Sequence, residues 1–154
     1  MSILTVASGQ SVYRGYEYYT QNKVLVHTQT NDNEFDGFVK GSEDKPYKVH
    51  INIAKPKTST CDCPFANGKR ICKHMIAVFF AVFPEEARQY IAELEAYYEE
   101  EEKRAEEIDN MIQKYVKKLT KPQLQEILLQ VLYDGPEWQF ERFVREYIEY
   151  GDRY

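Results

Sequence analysis

Four residues stand out for their types and spacing. Cys61 and Cys63 form a C-x-C pair and, after eight intervening residues, Cys72 and His74 form a C-x-H pair. These are all three cysteines of the chain and one of its three histidines. Zinc takes four soft or borderline ligands in a tetrahedron, and two close pairs joined by a short loop supply them. Buried free cysteines with a stray histidine would be the plain alternative. The paired spacing within 14 residues favours metal. A catalytic Cys–His pair needs one nucleophile and one base and leaves two cysteines without a role. Four protein ligands close the coordination shell, so the expected zinc is structural and the chain is not expected to be an enzyme. Three thiolates and a neutral imidazole around a dication leave a charge of −1. Lys69, Arg70 and Lys73 lie beside the ligands in sequence. They are expected to offset that charge and donate to the sulfurs; the other role open to them is contact with phosphate.

The ligands constrain the elements that carry them. Residues two apart in a regular helix point about 200° apart. Cys72 should therefore sit just before a helix or at its first position, with His74 in the first turn. That helix runs on through HMIAVFFAVF until Pro84 breaks or restarts it. Pro64, Asn67 and Gly68 supply turns in the loop, which spans 54–71.

Upstream, SGQSVYRGYEYYTQ (8–21) reads as a short amphipathic helix capped by Ser8 or Ser11. Val12, Tyr16 and Tyr19 share its face, and these tyrosines are expected in the core before any stacking role. Gly15 interrupts its pattern. Three strands follow, at 23–30, 35–41 and 47–53, as an antiparallel meander with one buried face. Gly37 marks a bulge or a close backbone approach in the second. The third alternates cleanly, with Tyr47, Val49, Ile51 and Ile53 on one side. His27 and His50 are expected at the surface.

Downstream, 84–119 reads as one long helix, with Glu85 and Glu86 at its positive end and Lys114, Lys117 and Lys118 at the other. Its apolar residues, from Ala87 to Leu119, recur at alternating four and three, with an interruption at Glu101. Two short helices follow, one starting at Thr120 with Gln123 in capping-box position and one after Asp134-Gly135-Pro136. They are expected to fold back onto the long helix or the zinc module. The fold class is thus α+β: an N-terminal helix and a three-stranded antiparallel sheet with a zinc-held loop and helix, then an all-α region with one long helix and two short ones. The expected division is 1–84 and 85–154.

Charge follows that division. Residues 1–84 carry 10 Lys and Arg against 7 Asp and Glu, whereas 85–154 carry 10 against 18. No apolar run approaches the roughly 18–20 residues of a membrane span, and MSILTVASGQS has no signal-peptide pattern. A soluble, cytoplasmic protein without membrane or small-molecule partner is expected.

With these residues in hand, the chain resembles the SWIM zinc-finger family, as a stand-alone bacterial member. That family carries C-x-C-x(n)-C-x-H, and CDCPFANGKRICKHMIAV fits it throughout. RGYEYY at 14–19, VKGS at 39–42 and YKVHI at 47–51 agree, so the resemblance covers about residues 10–83. It implies one structural zinc on Cys61, Cys63, Cys72 and His74, and a ββα-type module that binds DNA or proteins. It also implies company: some members are linked to Swi/Snf-type ATPases or to transposases, so a DNA-binding accessory role beside such an ATPase or a recombination partner is the alternative. The chain itself shows no P-loop and no acidic triad. GSEDKPY (41–47) is a longer turn than the family's. A protein partner is expected, DNA is a second candidate, and a homodimer through 85–119 is a third. Lys69, Arg70 and Lys73, with Lys55 and Lys57, are the phosphate candidates. The sequence pI of about 5.3 counts against a dedicated nucleic-acid binder.

Overall fold

The structure, a computed structural model, describes residues 2–67 and 70–149. Its contacts divide the chain into two compact units, Met1–Ala96 and Tyr97–Tyr154.

The first unit opens with a four-residue helix α1 (Ile3–Val6) and then α2 (Gly9–Thr20). The Ser8 hydroxyl accepts the backbone N–H of Ser11 and caps α2. Ser8 is therefore the cap, and Ser11 is buried inside the helix. Val12 is buried and Tyr16 and Tyr19 pack partly buried against the core. Gly15 is where α2 touches the next helix. A Cβ there would lie 2.5 Å from the Ile76 side chain. Asn22 follows α2 with φ at 53°, a left-handed position that asparagine tolerates.

Strands β1 (Val24–Asn31), β2 (Glu34–Val39), β3 (Tyr47–Asn52) and β4 (Thr60–Cys61) form one antiparallel sheet in that order. The sheet thus has four strands where the sequence predicts three. The fourth is two residues long, and two residues cannot display an alternation. It is defined only by its pairing, Val49 with Cys61 and His50 with Thr60. On β3, Tyr47, Val49 and Ile51 are buried, as the alternation predicts. The β2–β3 register is continuous through the long turn, from Glu34↔Asn52 to Val39↔Tyr47. Gly37 is a close approach and not a bulge: a Cβ there would meet Val78 at 2.8 Å. The ladder irregularities fall in β1 instead.

Helix α3 (Lys73–Val82) is apolar on almost every side because it is covered on almost every side. Ile76, Val78 and Phe80 are fully buried between α2 and the sheet. The Phe80 ring meets Tyr16 edge-on at 5.9 Å and Tyr90 at 5.7 Å. Tyr90 and the buried Ala87 belong to the long helix α4 (Pro84–Lys118), whose first turns thereby complete this core.

The second unit contains the rest of α4, then α5 (Lys121–Asp134) and α6 (Glu137–Phe143), continued by a π-helical turn at Val144–Glu149. The capping box at Thr120 and Gln123 is formed. Among the described residues of this unit only Leu132 is buried. Ile108, Ile112 and Tyr115 are 49%, 55% and 59% exposed. The two short helices of this unit therefore do not cover this part of the seam, the first of the two fold-back sites expected for them. Among the described residues no helix is long and apolar enough to cross a membrane.

Candidate metal centre

Each ligand is set by a different device. Cys61 closes β4, and the pairing with β3 fixes it. The next residue locks the position: Asp62 N–H donates to the Lys48 carbonyl at 3.2 Å, and its carboxylate accepts the Lys48 N–H at 3.0 Å. Cys63 immediately precedes a 3₁₀ turn at Pro64–Ala66, where Pro64 presets the backbone. Cys72 is the N-cap residue of α3, in extended conformation, and His74 lies in the first helical turn. Both placements are those required by the C-x-H spacing.

The three sulfurs and one His74 nitrogen lie within 4.8 Å of one another. Nδ1 is the nitrogen that faces them, 3.8 Å from Sγ of Cys61 and 3.9 Å from Sγ of Cys72. A tetrahedral zinc with ordinary bond lengths has S···N edges of about 3.5–3.6 Å and S···S edges of about 3.8 Å. The two S···N edges need to contract by a few tenths of an ångström, and the longest edge by up to about 1 Å. Cys63, Cys72 and His74 are buried and Cys61 is half-buried, so the shell is closed to solvent on most sides. The donor set, three sulfurs and an imidazole, fits one structural zinc ion.

The backbone amides of Cys63, Ala66 and Met75 lie beside the sulfurs of Cys61, Cys63 and Cys72 and favour their ionised forms, while the Ala66 N–H itself donates to the Cys63 carbonyl at 3.1 Å. The acidities follow from this crowding. A hydrogen bond from Cys61 lowers the Cys72 thiol to about 4, against the opposing effect of burial, with the His74 ring and the Met75 amide adding to the fall. The same shared proton pushes the Cys61 thiol far up, and burial adds to that. Burial, then the charge on Cys72, raises Cys63. One thiol ionises readily, and the other two hold their protons until a cation replaces them.

His74 is 3% exposed, and its Nε2 has no hydrogen-bond partner among the described residues. Aromatic rings orient the imidazole instead. Tyr47 lies across it at 4.5 Å between centroids and Tyr18 meets it at 5.4 Å.

The basic residues beside the ligands are placed differently from expectation. Lys69 lies outside the described residues. Arg70 stands over the Phe65 ring at 5.8 Å, and Lys73 stands over the Tyr18 ring at 4.3 Å. Neither makes a hydrogen bond to a sulfur among the described residues. Lys23 joins Lys73 on Tyr18, at 4.1 Å. A groove of about 120 Å³ opens beside the ligands, lined by Gln10, Arg14, Phe65 and Lys73 among others. Lys55 is elsewhere, in a hollow with Asp32 and Glu34 beyond the far end of β3. His50 pairs with Asp36 at 2.7 Å and His27 is exposed, so neither joins the cluster. Sequence reasoning passed over Lys23, Arg14 and Phe65 as members of this face. Lys23 and Arg14 sit on or just after α2, with the whole β1–β3 meander between them and the ligands, and nothing local signals the meeting.

No curated protein and no solved structure matches the chain. A family model does match, over residues 47–83, and its span runs from β3 through all four ligands to the end of α3. With the motif, the ligand geometry and the family match in agreement, residues 47–83 of this chain are a SWIM zinc finger.

Proposed function

We propose that the SWIM finger of this chain binds nucleic acid through the basic and aromatic face beside its zinc, and that it is a binding protein and not an enzyme. The observation that carries this is where the cations beside the ligands stand. Arg70 and Lys73 make no hydrogen bond to a sulfur among the described residues and hold their charges over aromatic rings instead. Arg14 and Lys23 bring two further cations to the same face. Cations of this kind contact phosphate. Phe65, 51% exposed, offers a ring face of the sort on which single-stranded bases stack. The zinc, with four protein ligands, shapes this face and has no open position for chemistry. A cytoplasmic setting accords with free thiols held for metal.

The second unit bears on affinity: residues 97–154 hold 14 acidic against 9 basic side chains. Such a region repels a polyanion, which makes the affinity of the whole chain modest and strongly dependent on salt. The test is fluorescence anisotropy of the zinc-loaded chain on labelled single-stranded and duplex DNA across a salt series. The expected result is binding that weakens with salt, with a log–log slope of about −2 to −4 for roughly four phosphate contacts. Arg70→Ala with Lys73→Ala should flatten that slope by about two. Salt-insensitive binding, or an unchanged slope in the double variant, would sink the reading. A protein partner is the second reading, favoured by the exposed apolar residues of α4 and α5.

A further inference from the structure

The second unit presents more apolar surface than a helical region can leave in water. Among its described residues a single side chain is buried. A unit of this size needs a core or a partner to stay folded. On α4 the uncovered residues are ordered. Ala105, Ile108, Ile112 and Tyr115, with the half-buried Leu119 just past the helix end, recur at alternating three and four, the spacing of a two-helix seam. Glu101 stands on the same line, so the seam begins after it.

We propose that a second copy of this chain covers the seam, with the two α4 helices parallel and in register. The flanking residues choose both the occupant and the direction. With Ala105 and Ile112 at a and Ile108 and Tyr115 at d, Arg104 and Met111 fall at g, and Asp109 and Val116 at e. In a parallel pair each g residue faces the e residue of the next heptad on the other helix. Arg104 then meets Asp109 of the second copy, and Met111 meets Val116 of the second copy. Both matches are complementary, one in charge and one in apolar surface. Met111 and Val116 are 69% and 42% exposed in the single chain, which that contact explains. In an antiparallel pair g faces g and e faces e. That arrangement sets Arg104 against Lys118 and Asp109 against its own copy, two like-charge contacts. Residues 105–119 span only about 22 Å, so exposed Leu124 and Leu128 of α5 extend the apolar surface available to the dimer.

This inference is independent of the nucleic-acid reading, and its test measures mass. Sedimentation equilibrium of the zinc-loaded full chain, from about 1 to 100 µM, should show a monomer–dimer equilibrium. Ile108→Asp with Ile112→Asp should weaken it by about 100-fold or more. One zinc per chain should be retained, because both sites are exposed on α4 and remote in sequence from the ligands. Arg104→Glu decides the direction. It weakens a parallel dimer by setting a second carboxylate against Asp109, and Asp109→Arg added to it restores affinity. In an antiparallel dimer the same change would meet Lys118 and tighten association. A monomer throughout the range, a higher oligomer, a dimer indifferent to the seam variants, or tightening by Arg104→Glu would each overturn the proposal.

Discussion

At the residue scale, the centre is a set of sulfurs whose proton affinities have been driven apart. Cys72 is held low by the Cys61 hydrogen bond, the imidazole and the Met75 amide, while Cys61 and Cys63 are held high. Zinc entering at neutral pH therefore displaces protons from Cys61 and Cys63 and finds Cys72 already ionised. Titration calorimetry in two buffers of different ionisation enthalpy should report about two protons released per zinc. The sign follows directly: protons and zinc compete, so affinity falls as pH falls, by about 100-fold per unit near pH 7 for two protons. A release near three would show that Cys72 is an ordinary thiol. Cys72→Ala should abolish tight zinc binding, because it removes a ligand that is fully buried at the start of α3. The ligand identities were legible in the sequence because metal chemistry leaves few residue types to choose from. The roles of Arg70 and Lys73 were not. A cation beside a thiolate in sequence is the natural donor to it, and only the three-dimensional path shows that these two stand over the rings of Phe65 and Tyr18 instead.

At the element scale, the module depends on close contacts that side-chain patterns do not display. Gly15 weakens the helical reading of α2, yet it is the point at which α2 meets Ile76 and the Lys73 carbonyl. Gly15→Ala should destabilise the protein by about 1–2 kcal/mol. The overpacking cost of about 1–3 kcal/mol exceeds the gain of up to about 1 kcal/mol from better helix propensity. Thermal unfolding should show a Tm lower by several degrees. Gly9→Ala is the control, since a Cβ there meets nothing within 4 Å, and it should leave Tm unchanged or raised. Equal behaviour of the two variants would refute the contact argument. The long elements, α2, β3, α3 and α4, were legible because their periodicities run for several residues. The short ones, α1 and β4, were not: four and two residues carry no period, and tertiary contacts alone define them. Ile3 of α1 is nonetheless 1% exposed and part of the core.

At the scale of the whole molecule, the two units differ in what holds them. The first has a buried core from Ile3 to Ala87 and a metal clip joining β4 to α3. The second has long helices and almost no core among its described residues. Zinc removal by a chelator should therefore act on the first unit. Hydrogen exchange should speed at the amides of Cys63, Ala66 and Met75 beside the sulfurs and along the start of α3, with exchange beyond Tyr97 unchanged. Uniform loss of protection through both units would show that the zinc holds the entire chain together. By itself the sequence determined the four ligands, the closed and structural character of their site, the long helix and the acidic bias of the C-terminal half. All of these are matters of residue type and local period. Tertiary structure decided the fourth strand, the placement of Lys23, Arg70 and Lys73 over aromatic rings with Arg14 lining the groove beside the ligands, and the bareness of the α4 seam. Each of those depends on which distant segments approach one another, and burial and hydrogen bonding settle that only when the chain has folded.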